Sequence, residues 1–324
     1  MSKISVIIPV YNVANYIERC ARSLFEQTLD DMEFIFVDDA SQDNSIQLLR
    51  NVLSSYPQRN SQVHIIQHSS NLGQNAARDN GLHIATGEFI AYCDSDDYVA
   101  PNMYESLYKK AVQEKADVVY CDFFMVYPLY YEYYNTLDEY EDKITFLKLY
   151  LLQDWNVLWN MIISHKLIRT YHLYSPKGII FCEDFYLTVC IIFYANRIVK
   201  VKDAFYYYNR TNNFSIVHSL YQKAKENDER NAYLKLINFF SEHQVLMDYK
   251  REISWRILKN KQDLVLSPHR HREFLNIYPE SHRYILSCPA CFCNKKIKIF
   301  MWMLTHQLRW LLLGILYLRK TLRR

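Results

Sequence analysis

The chain has 324 residues, half of them apolar and 23% charged, which excludes disorder as its main state and supplies enough core for two modest domains or one large domain with an appendage. Its five glycines exclude collagen-like and low-complexity classes. A net charge of +3 is too small to indicate nucleic acid, so no such partner is expected.

Up to about residue 125, strand-like apolar runs alternate with helical stripes, the pattern of a mostly parallel sheet wrapped by helices in an α/β fold. Strands are expected over residues 5–10, 33–37, 63–67, 89–93 and 118–122. Ile17, Ala21, Leu24 and Thr28 form one helical stripe, and Ile46, Leu49 and Leu53 a second behind the polar entry 41–44. Pro101 stands where a first-turn proline opens a third helix bearing Tyr104, Leu107, Tyr108 and Ala111. Residues 127–142, rich in Tyr, Glu and Asp without a period, read as a surface segment beyond the sheet. A polar helical stretch follows from 216 to about 280.

The first residues run straight into a strand with no cleavage site, and most of the eight cysteines sit in apolar runs. Both features point to a reduced, cytoplasmic setting. Cys288, Cys291 and Cys293 lack a fourth ligand at zinc spacing and read as free thiols. In the stretch 299–318, His306, Gln307 and Arg309 interrupt an apolar run flanked by Lys295, Lys296, Lys298, Arg319, Lys320, Arg323 and Arg324. That pattern suits an interfacial helix on an anionic membrane surface better than a span; packing on the protein's own core is the alternative.

Ligands of open parallel sheets bind beyond the carboxyl ends of the strands. Tyr11 and Asn12 follow the first run, Asp38 and Asp39 the second, and Asp94, Ser95, Asp96 and Asp97 the fourth. Carboxylates crowded at one edge repel one another unless a cation or a set of donors offsets them. Their hard oxygens suit Mg²⁺ or Mn²⁺, ions that bridge a carboxylate and a diphosphate. No phosphate-cradling glycine loop is present, which disfavours a nucleotidyltransferase and leaves Arg78, within 71–81, as the candidate phosphate-holding cation.

The segments 6–12, 36–43, 71–81 and 87–97, in that order, resemble the family 2 inverting glycosyltransferases of the GT-A fold; the likeness continues more weakly through Trp159-Asn160, Glu183-Asp184 and 206–210. The resemblance implies a nucleotide-sugar donor and a saccharide acceptor. Pro9 and Tyr11 would lie along the base, and Asp39 would accept from its ring N–H, favouring uracil. Asp94, with Ser95, would hold the ribose side, and Asp96 would ligate the metal. Glu183-Asp184 would supply the catalytic base, assigned to Asp184, and Trp159 would stack on the acceptor. Ala40 stands where the family usually has glycine. The chain then divides into a nucleotide-sugar half (1–125), an acceptor and base half (126–215), a helical extension (216–286) and a basic membrane-associating segment (287–324). Capsule, exopolysaccharide or lipopolysaccharide synthesis at the inner face of the cytoplasmic membrane, on a lipid-linked acceptor, is the expected setting. A catalytically inactive relative that binds nucleotide sugar or glycan is the alternative.

Overall fold

The computed structural model describes residues 2–212 and 222–321. Arg323 and Arg324, like the expected boundary at 215/216, lie outside them. The chain forms two compact units, one of Met1–Leu147 with Gln153–Leu220 and one of Lys148–Leu152 with Tyr221–Arg324.

The first unit contains β1 (Ile4–Val10), α1 (Ile17–Phe25), β2 (Met32–Asp38), α2 (Ser45–Ser54), β3 (Val63–Gln67), α3 (Gln74–Ile84), β4 (Phe89–Tyr92), β5 (Tyr98–Val99), α4 (Met103–Glu114), β6 (Val118–Val126) and β7 (Tyr131–Tyr134). It continues through α5 (Lys143–Tyr150), which runs on into the second unit, then β8 (Met161–Ser164), α6 (His165–Tyr171), α7 (Glu183–Tyr194) and β9 (Ile198–Asn209). The strands form one sheet in the order β3-β2-β1-β4-β8-β6-β9-β5, with β7 on β6. The first four are parallel. The expected strands are all present, but β6 does not extend the parallel set: β8, from later in the chain, inserts antiparallel between β4 and β6. The 125/126 division therefore falls within β6, and both halves share one sheet.

β1 and β2 are buried along almost their whole length, which is why they read as continuous apolar runs. α1 buries Ile17, Ala21 and Leu24; Thr28 lies past its end. Pro101 sits in the turn before α4, whose N-cap is Asn102. The surface segment proves to hold the edge strand β7, paired with β6 from Phe123–Tyr134 to Val126–Tyr131. Its alternation is masked because Tyr131, Tyr133 and Tyr134 put tyrosine on both faces of β7. Tyrosines also pave the neighbouring edge: Tyr98 and Tyr207 stack at 4.6 Å.

Two glycines set how closely neighbouring segments pack on the parallel strands. At Gly87, where β4 begins, a Cβ would lie 2.5 Å from Ser5 N; the space is filled by Gly87 N donating to Ser5 Oγ at 2.8 Å, while Ser5 Oγ in turn donates to Glu33. In α3, Gly81 lets the helix lie directly on Ile7 and Val37.

The second unit contains α8 (Gln222–Glu242), α9 (Leu246–Lys261), α10 (His271–Asn276), α11 (Lys295–Thr305) and α12 (Arg309–Thr321), with short 3-10 turns between α9 and α11. Its core joins Leu258, Phe274, Cys288, Cys293, Ile297, Met301 and Leu304. The basic C-terminal segment is thus two helices, broken where Gln307 adopts φ 64°. Leu304 and Leu312, expected to offer membrane area, are buried in this core, and Leu308 and Ile315 pack against it. No described helix is long and apolar enough to cross a membrane.

Two substitutions should act in opposite senses on stability. Gly87→Ala forces Cβ into the Ser5 backbone and should destabilise by about 1–3 kcal/mol. Ala40, at φ 61°, is a non-glycine residue in the left-handed region, so Ala40→Gly should stabilise by up to about 1 kcal/mol. Urea denaturation midpoints check both; a stabilised Gly87→Ala or a destabilised Ala40→Gly contradicts the geometry.

Candidate functional site

The parallel order β2-β1-β4 places the expected residues along one edge. Pro9 is in β1, paired with Val37, and Tyr11 follows it, exposed. Asp39 N donates to Val10 O at 2.8 Å, and Cys93 N to Ile7 O at 3.1 Å, so the residues after β2 and β4 flank the end of β1.

Asp39 is buried. Its Oδ1 accepts from Leu72 N (2.7 Å) and pairs with His68 Nδ1 (2.8 Å); its Oδ2 accepts from Gly73 N (2.8 Å). Asn80 Nδ2 lies 2.8 Å from His68 Nε2, so with the amide donating there the ring donates from Nδ1 to Asp39. The carboxylate thus pins the loop that starts α3, with Gly73 at φ 90°.

Along 94–97 the side chains alternate. Asp94 and Asp96 are half-buried, whereas Ser95, at 6% exposure, and Asp97 are buried. Asp97 receives Tyr206 Oη (2.7 Å) at Oδ2 and Asn209 N (2.7 Å) at Oδ1, while Asn209 Nδ2 donates to Asp96 O at 3.1 Å and Asn212 Nδ2 to Asp96 Oδ2 at 2.8 Å. Burial, with the charge of Asp94 added, raises Asp96 to about 6. Burial, then Asp96 and Asp94, pushes Asp97 well above the usual carboxylate range.

Arg78 is the hub. It is 2% exposed, and α3 aims it at three carboxylates: Asp184 Oδ1 at 2.7 Å, Asp94 Oδ1 at 3.1 Å and Glu183 Oε1 at 3.3 Å. Burial alone would lower its pKa, but Asp184, Asp94 and Glu183 hold it above its ordinary value. Gln74 Nε2 adds a bond to Asp94 Oδ1 at 2.9 Å. Glu183 and Asp184 open α7, where the helix dipole favours negative charge. The loop before them is held to α3, Asn75 Nδ2 donating to Ile179 O (2.7 Å) and Ser175 N to Asp79 Oδ1 (3.1 Å). Burial first, then the charge of Asp184, raises Glu183 to about 8. Burial and Asp94 raise Asp184 too, against the pull of Arg78.

Most of the expected residues thus meet at one edge, with three corrections. Arg78, read as the cation for a phosphate, spends its guanidinium on the acid cluster. Ser95 is buried beneath the two aspartates that flank it. Trp159 is no acceptor platform here: at 3% exposure, its ring is stacked against Tyr206 (4.2 Å) and Tyr208 (5.5 Å), with Phe123 edge-on. Sequence reasoning missed His68, Gln74 and Asn212. Gln74 lay inside the quoted 71–81 segment, and His68 and Asn212 beside quoted ones.

Among the described residues, no three His, Cys, Asp or Glu side chains converge as a metal site. The donors nevertheless suit a hard divalent ion, because Mg²⁺ is usually held by one or two carboxylates together with substrate phosphates and waters. Asp96, half-buried and short of compensating positive charge, with Asp94 beside it, fits that role.

Residues 5–181 match Glycosyl transferase family 2. Among curated relatives, the uncharacterized glycosyltransferase EpsJ of Bacillus subtilis is 27% identical over 82% of this chain and 77% of its own. The cholesterol galactosyltransferase of Borreliella burgdorferi is 29% identical over 77% and 72%. Among solved structures, Staphylococcus aureus TarS 1–349 in complex with UDP-GlcNAc superposes with a TM-score of 0.68 at 20% identity, covering 95% of this chain and 92% of that one. The mannosyltransferase PcManGT of Pyrobaculum calidifontis, in complex with GDP-Man and Mn²⁺, gives 0.56 at 16% identity over 95% and 85%. With the family matched over more than half its length, and a sheet whose carboxyl edge gathers the residues above, this chain belongs to glycosyl transferase family 2 and has the GT-A fold.

Proposed function

We propose that the protein is an inverting, divalent-metal-dependent hexosyltransferase that moves a sugar from a UDP-linked donor to a saccharide hydroxyl during capsule, exopolysaccharide or lipopolysaccharide synthesis. One observation carries the reading: Arg78 ties the acidic pair opening α7 to Asp94 at the end of β4, so a candidate base stands beside a candidate donor-binding strand end. The UDP-GlcNAc complex of TarS supports the nucleotide and the Mn²⁺ complex of PcManGT supports the metal.

Asp184 is assigned as the base. Its short pair with Arg78 favours the ionised form over that of Glu183, and among the described residues its Oδ2 receives a long 3.4 Å contact from Leu158 N. That oxygen takes the acceptor's hydroxyl proton as the hydroxyl oxygen attacks the anomeric carbon, an effect worth about 10²–10⁴-fold. The bond to the diphosphate oxygen breaks in the same displacement, so the anomeric configuration inverts without a carboxylate nucleophile. A divalent ion held by Asp96 and Asp94 would neutralise charge on the departing diphosphate. Arg78 keeps Asp94 and Asp184 in place. Pro9 and Tyr11 line the base, Asp39 holds the loop beside it and offers Oδ2 to its ring N–H, and Asp94 holds the ribose side. The exposed rings of Tyr130, Tyr131 and Tyr133, rather than Trp159, are placed toward the acceptor. That acceptor is assigned as lipid-linked, which puts the enzyme on the inner face of the cytoplasmic membrane.

A panel of nucleotide sugars incubated with Mn²⁺ and read by mass spectrometry tests the reading; transfer or hydrolysis of a UDP-sugar supports it, and no turnover of any donor favours an inactive, binding relative. Asp184→Asn should lower turnover by about 10²–10⁴-fold with donor affinity preserved; the same loss in Glu183→Gln alone would reverse the assignment within the pair. In calorimetry, Asp96→Asn should abolish the gain in UDP affinity that Mn²⁺ brings to the native protein. Because burial and Asp94 raise the base and only its ionised form accepts a proton, kcat/KM should fall as pH drops through an apparent pKa above the ordinary ~4 of a carboxylate. An acid limb at that ordinary value would remove the buried pair from the mechanism.

A further inference from the structure

Residues 281–324 hold nine of the 38 Lys and Arg residues and no Asp or Glu, whereas the preceding 280 residues carry 29 cations against all 35 acids. The charge on this segment is therefore segregated.

Its helices are apolar on two faces. Leu308, just before α12, and Leu312, Ile315 and Leu316 within it turn one face to the core of the second unit. Trp310, Leu311, Gly314, Tyr317 and Leu318 repeat the same helical spacing on another face, and that face is exposed: Trp310 by 71%, Tyr317 by 69% and Leu318 by 59%. Ile299 and Trp302 of α11 are exposed as well. A helix apolar all round is normally covered, and contiguous exposed apolar surface marks an interaction site. Lys295, Lys296 and Arg309 are exposed on the same two helices.

We infer that this face docks on an anionic lipid bilayer, with Trp310, Leu311, Tyr317 and Leu318, together with Trp302, seated among the headgroups and the cations at the surface. The chemistry selects the occupant. Apolar and aromatic side chains beside unopposed cations match an interface that is negative outside and apolar beneath. Nucleic acid would leave the apolar face uncovered, and a second copy would bring an equally positive segment against this one. At about 1.5 Å per residue, the 13 residues of α12 fall short of the ~30 Å of a bilayer core, so the helix lies on the surface instead of spanning it. The inference gives the membrane-linked reading above a definite surface, yet its test uses neither donor nor acceptor.

The test is flotation of the full chain with vesicles of phosphatidylcholine alone or mixed with phosphatidylglycerol, alongside tryptophan emission. Binding to the mixed vesicles alone, weakening as salt rises and with a blue shift of emission, is the expected result. Lys295→Glu with Lys296→Glu should weaken it by roughly tenfold or more, as should Trp310→Glu with Tyr317→Glu, while UDP-sugar turnover without vesicles and the circular dichroism spectrum stay unchanged. Failure to bind at low salt, or equal binding to neutral vesicles, overturns the inference. So does a dimer in sedimentation that Trp310→Glu dissolves, which would make the face a contact between copies. Loss of turnover in the native chain with vesicle binding intact would count against the glycosyltransferase reading alone.

Discussion

One buried guanidinium organises the carboxyl edge of this sheet. Arg78 is buried among Asp94, Glu183 and Asp184, groups that come from the end of β4 and the start of α7, about ninety residues apart in sequence. A buried carboxylate without a partner is costly, and removing one member of such a cluster leaves the others unpaired. The cluster therefore works as a clamp. α3 can deliver Arg78 only because Gly81 lets the helix lie against β1 and β2, and because Asp39 fastens the turn from which the helix begins.

A second network does for the 94–97 loop what Arg78 does for the acidic pair. Asp97 is fully buried and bound by Tyr206 and Asn209, so the inward-facing carboxyl is anchored to β9. The turn closed by Asp97 N donating to Asp94 O at 3.1 Å leaves Asp94 and Asp96 half-buried on its other side. Trp159 belongs to this support, since its stack on Tyr206 and Tyr208 backs the strand that holds the loop. It acts at one remove from the site.

The legible part of the molecule was local. β1 to β4 announced themselves because a strand covered on both faces must be apolar throughout, and the acids after them stood out because charge next to such runs is rare. What pairs with what across the sheet was not legible: the antiparallel insertion of β8 depends on long-range closure, and β7 is an edge strand whose pattern blurs when both faces carry tyrosine. The role of Arg78 was misread for a related reason. A lone arginine near acids suits a phosphate or a carboxylate equally well, and only its burial decides for the acids. Trp159 likewise shows its ring chemistry in sequence but not which neighbours already occupy its faces.

The acid cluster also bears on how the site treats charge before a donor arrives. Asp94, Glu183 and Asp184 share the Arg78 guanidinium at close range, while Asp96 is held by Asn212; burial first, and then the neighbouring carboxylates, raises the proton affinities of Glu183 and Asp96. Such an edge repels a bare diphosphate. On the proposed reading it would become receptive when positive charge accompanies the ligand, drawn to Asp94 and Asp96, the two half-buried carboxylates of the 94–97 turn. Burial raises Asp184 while Arg78 pulls it down, so on that reading the group that would take the proton and Asp94 are coupled electrostatically through one side chain.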